Sequence, residues 1–295
     1  MPDLKLEKLK EFKPNKKFYV GIDSDGCAFD SMEIKHKECF IPAIIQKWKL
    51  QPIAKYARAV SEFVNLYSKW RGVNRFPALV MTFDLLKEWP EPMNRNPQIP
   101  EIPAFREWVR TETALSNTSL KQKIKETNHP DFQHALEWSM EVNQRVEALV
   151  SGVPPFPRVA EVLQKLSEVA DIVVVSGTPT EALEREWEEH HIRQFVRLVC
   201  GQEIGSKKEI LSITSQSYSK DHVIMIGDAD GDRQAAKFSN LLFYPINPSK
   251  EENSWERFYK EGMDKFLKGK YAGPYEARVT EEFKKFLPEI PPWKN

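Results

Sequence analysis

The sequence predicts an α/β protein: a Rossmann-like, doubly wound parallel sheet, interrupted after its first strand by an inserted α-helical domain. Three observations predict it. Five short runs have the length of strands: FYVGI (18–22), DIVVVS (171–176), VRLVC (196–200), VIMIG (223–227) and LLFYPI (241–246). Nearly every position in them is apolar, as expected of strands covered on both faces. The last four alternate with helix-patterned segments, TEALEREWEEHH, KKEILSITSQS and DRQAAKF, which is the βαβαβ rhythm of a parallel sheet. The stretch from 32 to 153, mostly of helical periodicity, separates the first run from the second.

The first run stops at Asp23-Ser24-Asp25-Gly26, two carboxylates one residue apart where a buried strand ends. The insert then carries AKYARAVSEFVNLYSKW, FREWVRTETALS and HPDFQHALEWSMEVNQRVEAL, each with apolar residues at three- and four-residue spacing. Prolines 90, 92, 97, 100 and 103 divide this block, and prolines 154, 155 and 157 close it. Its tryptophans, Trp48, Trp70, Trp89, Trp108 and Trp138, read as helix-packing residues. The expected division is a core over 1–31 and 154–295 and an insert over 32–153. The second run ends in Ser176-Gly177-Thr178. There Thr178, Pro179 and Glu181 spell a helix start, with Thr178 at N-cap, Pro179 at N1 and Glu181 closing a capping box. Lys207 and Lys208 open the helix after the third run. The fourth ends in Gly227-Asp228, with Asp230 and Asp232 just after. A helix-rich tail from about Asn247 to Asn295 is expected to pack on the core.

Composition narrows the function. Lys+Arg and Asp+Glu are both 43, so the net charge is zero. That offers no bulk charge for nucleic acid or an anionic membrane. The three cysteines, Cys27, Cys39 and Cys200, are widely spaced and form no CxxC, which fits a reduced, cytoplasmic protein. The opening MPDLKLEKLKEFK lacks the apolar core of a signal peptide, and no apolar run approaches the roughly 18 residues of a membrane span.

In open α/β sheets, ligands bind beyond the carboxyl ends of the strands. If the first strand is central, flanked by the second and fourth, then Asp23, Asp25, Ser176, Asp228 and Lys207 converge there. Phosphoryl transfer uses such a set. Crowded carboxylates call for a hard divalent cation such as Mg²⁺. One carboxylate can attack phosphorus and another can serve as acid and base. A hydroxyl, backbone N–H groups and an ammonium can hold the phosphoryl oxygens. Each feature alone has a blander reading. A lone DxDG is a common turn. GDADGD resembles a calcium loop but lacks the spacing to a closing Glu. Cys27 has no histidine placed by sequence to activate it, and EREWEEHH spells neither HExxH nor HxxEH. The ordered set is far more specific than any member.

That set resembles the haloacid dehalogenase-like superfamily, in its phosphatase branch. Its four motifs are matched in order: Asp23-Ser24-Asp25-Gly26 with Asp30-Ser31 following, then Ser176, then GSKKEIL, then Gly227-Asp228-Ala229-Asp230-Gly231-Asp232. The resemblance covers about residues 15–31 and 155–247, and the insert corresponds to a cap of the first (C1) type. It implies a Mg²⁺-dependent phosphatase acting on a small phosphorylated metabolite. Asp23 would be nucleophile and metal ligand. Asp25 would be general acid and base and would lend its backbone carbonyl to the metal. Asp228 would be the second carboxylate ligand, with Asp232 behind it supporting the metal waters or the lysine. Ser176, Gly177 and Lys207, or Lys208 in its place, would bind phosphate. Cys27 and Ala28 depart from the usual Thr and Leu. A phosphomutase of the same family uses the same residues. A dehalogenase is disfavoured by Asp25, and a phosphonate hydrolase is disfavoured because the sequence does not place its Schiff-base lysine and because Asp25 suits an oxygen leaving group. From a different class, a receiver-type regulatory protein phosphorylated on aspartate shares the acidic strand ends but not the long insert. A catalytically silent binding protein would be expected to have lost Asp23, Asp25 or Asp228.

Overall fold

The computed structural model describes residues 6–294. The first five residues of the charged N-terminal stretch and Asn295 lie outside them. The chain divides into two compact units, one over 6–31 and 152–287 and one over 32–151 and 288–294.

The first unit is built on a five-stranded, wholly parallel sheet: β1 (Phe18–Ile22), β2 (Ala170–Val175), β3 (Leu198–Cys200), β4 (Val223–Gly227) and β5 (Leu242–Pro245). Their order is β3-β2-β1-β4-β5, so β1 is central and β2 and β4 flank it. The apolar runs form strands because both faces are covered. Phe18, Val20 and Ile22 join Ile172, Val174, Ile224 and Ile226 in a core closed by Trp187, Trp255 and Phe258. Tyr19, Val173, Val175 and Met225 face a second core with Ile210, Leu211 and Ala235. Gly21 lets a helix press on the sheet, since a Cβ there would stand 2.6 Å from Leu211 Cδ2 and 3.0 Å from Met225 Sδ.

The second unit is helical around its own core of Phe76, Phe83, Phe105, Trp108, Trp138 and their neighbours. Trp138 meets Trp48, Phe76 and Phe40 edge-on, at ring-centroid distances of 5.7, 6.4 and 6.3 Å. The three periodic segments fold as helices Ala54–Asn65, Pro103–Thr111 and Pro130–Leu149. Another helix, Arg75–Lys87, carries no amphipathic stripe because apolar residues surround it. Phe76, Leu79, Phe83 and Leu86 are buried while Val80, Met81 and Leu85 pack partly.

The tail divides. Helices Glu251–Arg257, Met263–Leu267 and Pro274–Lys284 belong to the sheet unit. The final segment, expected from sequence to go with that core, groups instead with the other unit. From Pro288 onward it joins the helical unit. Trp293 stacks on Trp89 at 4.3 Å, nearly parallel, and meets Phe63 edge-on. Pro288 O accepts the Lys69 N–H at 3.2 Å. Stacking of two indoles is apolar burial that a short exposed segment would otherwise forgo.

Candidate active site

Register brings the strand ends level. Ile22 lies beside both Val174 and Ile226, so Asp23 emerges between the ends of β2 and β4. The Asp23 N–H continues the ladder to Ile226 O at 3.0 Å, and the Ser176 N–H reaches Cys200 O at 3.0 Å.

Asp23, Asp228 and Asp232 are buried together, and each offers a carboxylate oxygen within 4.8 Å of the others. Lys207 Nζ stands 2.7 Å from Asp23 Oδ2 and 2.6 Å from Asp232 Oδ1. Local structure explains each placement. Ser206 and Glu209 form a capping box that starts the helix Lys207–Ser215 at Lys207. Asp232 sits in the first turn of the helix Asp230–Phe238 and accepts the Ala229 N–H at 3.1 Å. Gly227 makes room for it, because a Cβ there would meet Asp232 Cβ at 2.4 Å. Asp23 Oδ1 accepts the Ser24 N–H at 2.8 Å. Lys208 points to the Phe238 ring instead, at 5.7 Å, and Asp230 pairs with Arg233 at 2.7 Å.

The electrostatics follow from burial. Burial pushes the Asp23 carboxyl up to about 6, against the pull of the Lys207 ammonium and with a further push from Asp232. Asp232 is raised in the same way, by burial first, with Lys207 opposing. Burial works against the Lys207 charge too, but Asp23 and Asp232 outweigh it and raise its pKa. Three carboxylates against one ammonium leave an excess of negative charge among oxygen donors. Those donors suit a hard divalent cation.

Asp25 is not one of the clustered carboxylates. It lies in a turn where Gly26, at φ 72, donates its N–H to Phe29 O at 2.8 Å. Ser31 Oγ donates to Asp25 Oδ1, and Thr178 Oγ1 donates to Asp25 Oδ2 at 2.5 Å. Ser176 Oγ accepts the Thr178 N–H at 3.2 Å. Gly177 leaves open space beside it, with nothing within 4 Å of where a Cβ would stand. Cys27 is buried, its thiol pushed well above the ordinary range by burial and then by Asp228, so it stays a protonated packing residue.

Thr178 does not cap the following helix as its sequence context suggested. That helix is Thr180–Glu189 with Pro179 at its N-cap position, and the Thr180 N–H goes to both carboxylate oxygens of Glu203, at 3.0 and 3.2 Å. Glu203 arrives from the end of β3, so no local pattern signals it. The two hydroxyls on Asp25 were also missed as its partners. Only the fold brings Thr178 to Asp25.

Residues 108–244 match the model of the family described as haloacid dehalogenase-like hydrolase. The match takes in Ser176, Lys207, Asp228 and Asp232 and leaves Asp23 and Asp25 outside. Among curated proteins none matches. Among solved structures, a Bacteroides fragilis protein assigned to the haloacid dehalogenase-like hydrolases is 12% identical, with TM-score 0.49, over 81% of this chain and 93% of its own. A Lactobacillus delbrueckii protein assigned as a phosphoglycolate phosphatase is 17% identical, with TM-score 0.47, over 79% and 87%. The Bacillus subtilis protein YfnB, assigned as a hydrolase of this family and described as bound to magnesium, is 12% identical, with TM-score 0.43, over 79% and 88%. Among the described residues, no helix is long and apolar enough to cross a membrane.

Proposed function

We propose that the chain is a haloacid dehalogenase-like hydrolase, the family whose model residues 108–244 match, and that it is a Mg²⁺-dependent phosphatase that hydrolyses a small phosphate monoester through an aspartyl-phosphate on Asp23. One observation carries the reading. A buried carboxylate at the central strand end, Asp23, is paired with Lys207 and neighbours a second buried carboxylate, while Asp25 stands apart in a hydroxyl cradle. Two carboxyls in different surroundings suit two different roles.

Asp23, Asp228 and the Asp25 backbone carbonyl would hold the ion, with Asp232 held beside them by Lys207. A bound Mg²⁺ supplies charge neutralisation among the carboxylates and the phosphoryl oxygens. The residues do the rest. An Asp23 carboxylate oxygen forms a bond to phosphorus as the ester P–O bond breaks. The leaving alkoxide takes its proton from the Asp25 carboxyl. Asp25, now a carboxylate, takes a proton from water. The resulting hydroxide attacks phosphorus, releasing inorganic phosphate and restoring Asp23. Ser176 Oγ, the Gly177 N–H and Lys207 Nζ would bind the phosphoryl oxygens, with Lys207 exchanging part of its pairing to Asp23 for the substrate.

The insert leaves the chain right after Ser31, six residues beyond Asp25, and returns at 152. That connectivity supports assigning it the role of a cap that selects the ester, since a phosphorylated aspartate open to bulk water gives little control over which ester is cleaved. The test is hydrolysis of p-nitrophenyl phosphate by chelator-treated protein with and without added Mg²⁺. Activity is expected only with the ion. Full activity after exhaustive chelation would rule out the metal-dependent mechanism.

A further inference from the structure

We propose that Thr178 is the positioning residue for the Asp25 carboxyl, tying the acid/base group to the strand end that binds the phosphoryl group. This rests on the roles of Asp23 and Asp25 given above.

Thr178 is fixed at three points. Its N–H donates to Ser176 Oγ at 3.2 Å, its carbonyl accepts the Gln202 N–H at 3.1 Å, and its Oγ1 donates to Asp25 Oδ2 at 2.5 Å. The end of β3 presses on this backbone. A Cβ on Gly201 would stand 2.6 Å from Thr178 O and 2.3 Å from Thr180 N, so the loop has no slack there. The hydroxyl is not spent on the helix start, because Glu203 takes the Thr180 N–H. It is spent on Asp25.

A carboxyl in a turn can swing about its Cα–Cβ and Cβ–Cγ bonds. Ser31 steadies Oδ1 from the same chain segment, and Thr178 steadies Oδ2 from the neighbouring strand end. Two donors on separate segments set both the place and the plane of the group. A misplacement of about 1 Å costs much of a proton transfer. A threonine hydroxyl can also turn from donor to acceptor without moving its oxygen. It can therefore keep the contact when Asp25 carries a proton and when it does not. Through Thr178, the distance from the acid/base carboxyl to Ser176 becomes a property of one rigid loop.

The test compares full-length wild type, Thr178→Val and Thr178→Ser on p-nitrophenyl phosphate and benzyl phosphate. The first leaving group departs readily without a proton and the second needs one. The ratio kcat/KM reports steps through the first phosphoryl transfer. Thr178→Val should lower kcat/KM for benzyl phosphate roughly tenfold to hundredfold, leave it within about twofold for p-nitrophenyl phosphate, and act on kcat more than on KM. Thr178→Ser should restore the benzyl rate. An equal fall on both esters, or an unchanged benzyl rate, overturns the positioning role while the phosphatase reading stands. If wild type hydrolyses neither ester, that reading falls, and this one with it. Should valine perturb folding, Thr178→Ala carries the same comparison.

Discussion

Asp23→Asn is expected to remove turnover, by on the order of 10⁴-fold or more. The amide matches the carboxylate in shape, and its oxygen can still accept the Ser24 N–H that Asp23 Oδ1 accepts at 2.8 Å. Lys207 keeps its second partner, Asp232, at 2.6 Å. The fold should therefore survive, and the change falls on chemistry. An amide oxygen does not attack phosphorus to give a stable acyl-phosphate, and it is a poorer ligand for a divalent cation. Steady-state hydrolysis of p-nitrophenyl phosphate, with a melting curve as control, checks this. Near-normal turnover would place the nucleophile elsewhere.

Lys207→Met should damage both stability and activity. In the metal-free protein Lys207 is the ammonium between Asp23 and Asp232. Removing one partner of a buried ion pair typically costs about 3–5 kcal/mol. The pH dependence has a definite sign. Burial already raises Asp23 and Asp232, and Lys207 restrains both. Without it their folded-state pKa values rise further above those of the unfolded chain. A group raised on folding favours the folded state most when both states are protonated. That contribution is lost as pH rises through the folded value. The deficit against wild type should thus be smallest near about pH 4 and grow toward neutrality. Urea denaturation of both metal-free proteins across this range measures it. An equal deficit at both ends would mean that Lys207 does not neutralise these carboxylates. Activity should fall too, since the phosphoryl group loses its ammonium partner.

The sequence made the sheet legible because its strands are buried on both sides. β1 and β4 appear in the structure with the bounds their apolar runs suggested, and β3 is shorter because only its last residues pair with β2. The placement of Asp23, Ser176 and Asp228 at strand ends was legible for the same reason: each follows a buried run directly. The helix Arg75–Lys87 was not legible, since a segment with apolar residues on every side has no period to detect. Thr178 was misread because a local cap and a distant carboxylate compete for one hydroxyl, and the winner depends on β1 and β2 lying side by side. The placement of 288–294 depends on Trp293 finding Trp89 and Phe63, partners far away in the chain. Local spacing carries no trace of such pairings.

The most direct test is chemical trapping of the phosphoenzyme. Protein mixed with p-nitrophenyl phosphate and Mg²⁺ is quenched in acid within milliseconds, digested and mapped by mass spectrometry. One phosphoryl group on the peptide containing Asp23, absent from Asp23→Asn, is the expected result. Turnover without label on Asp23, or with label on another residue, would contradict the covalent mechanism.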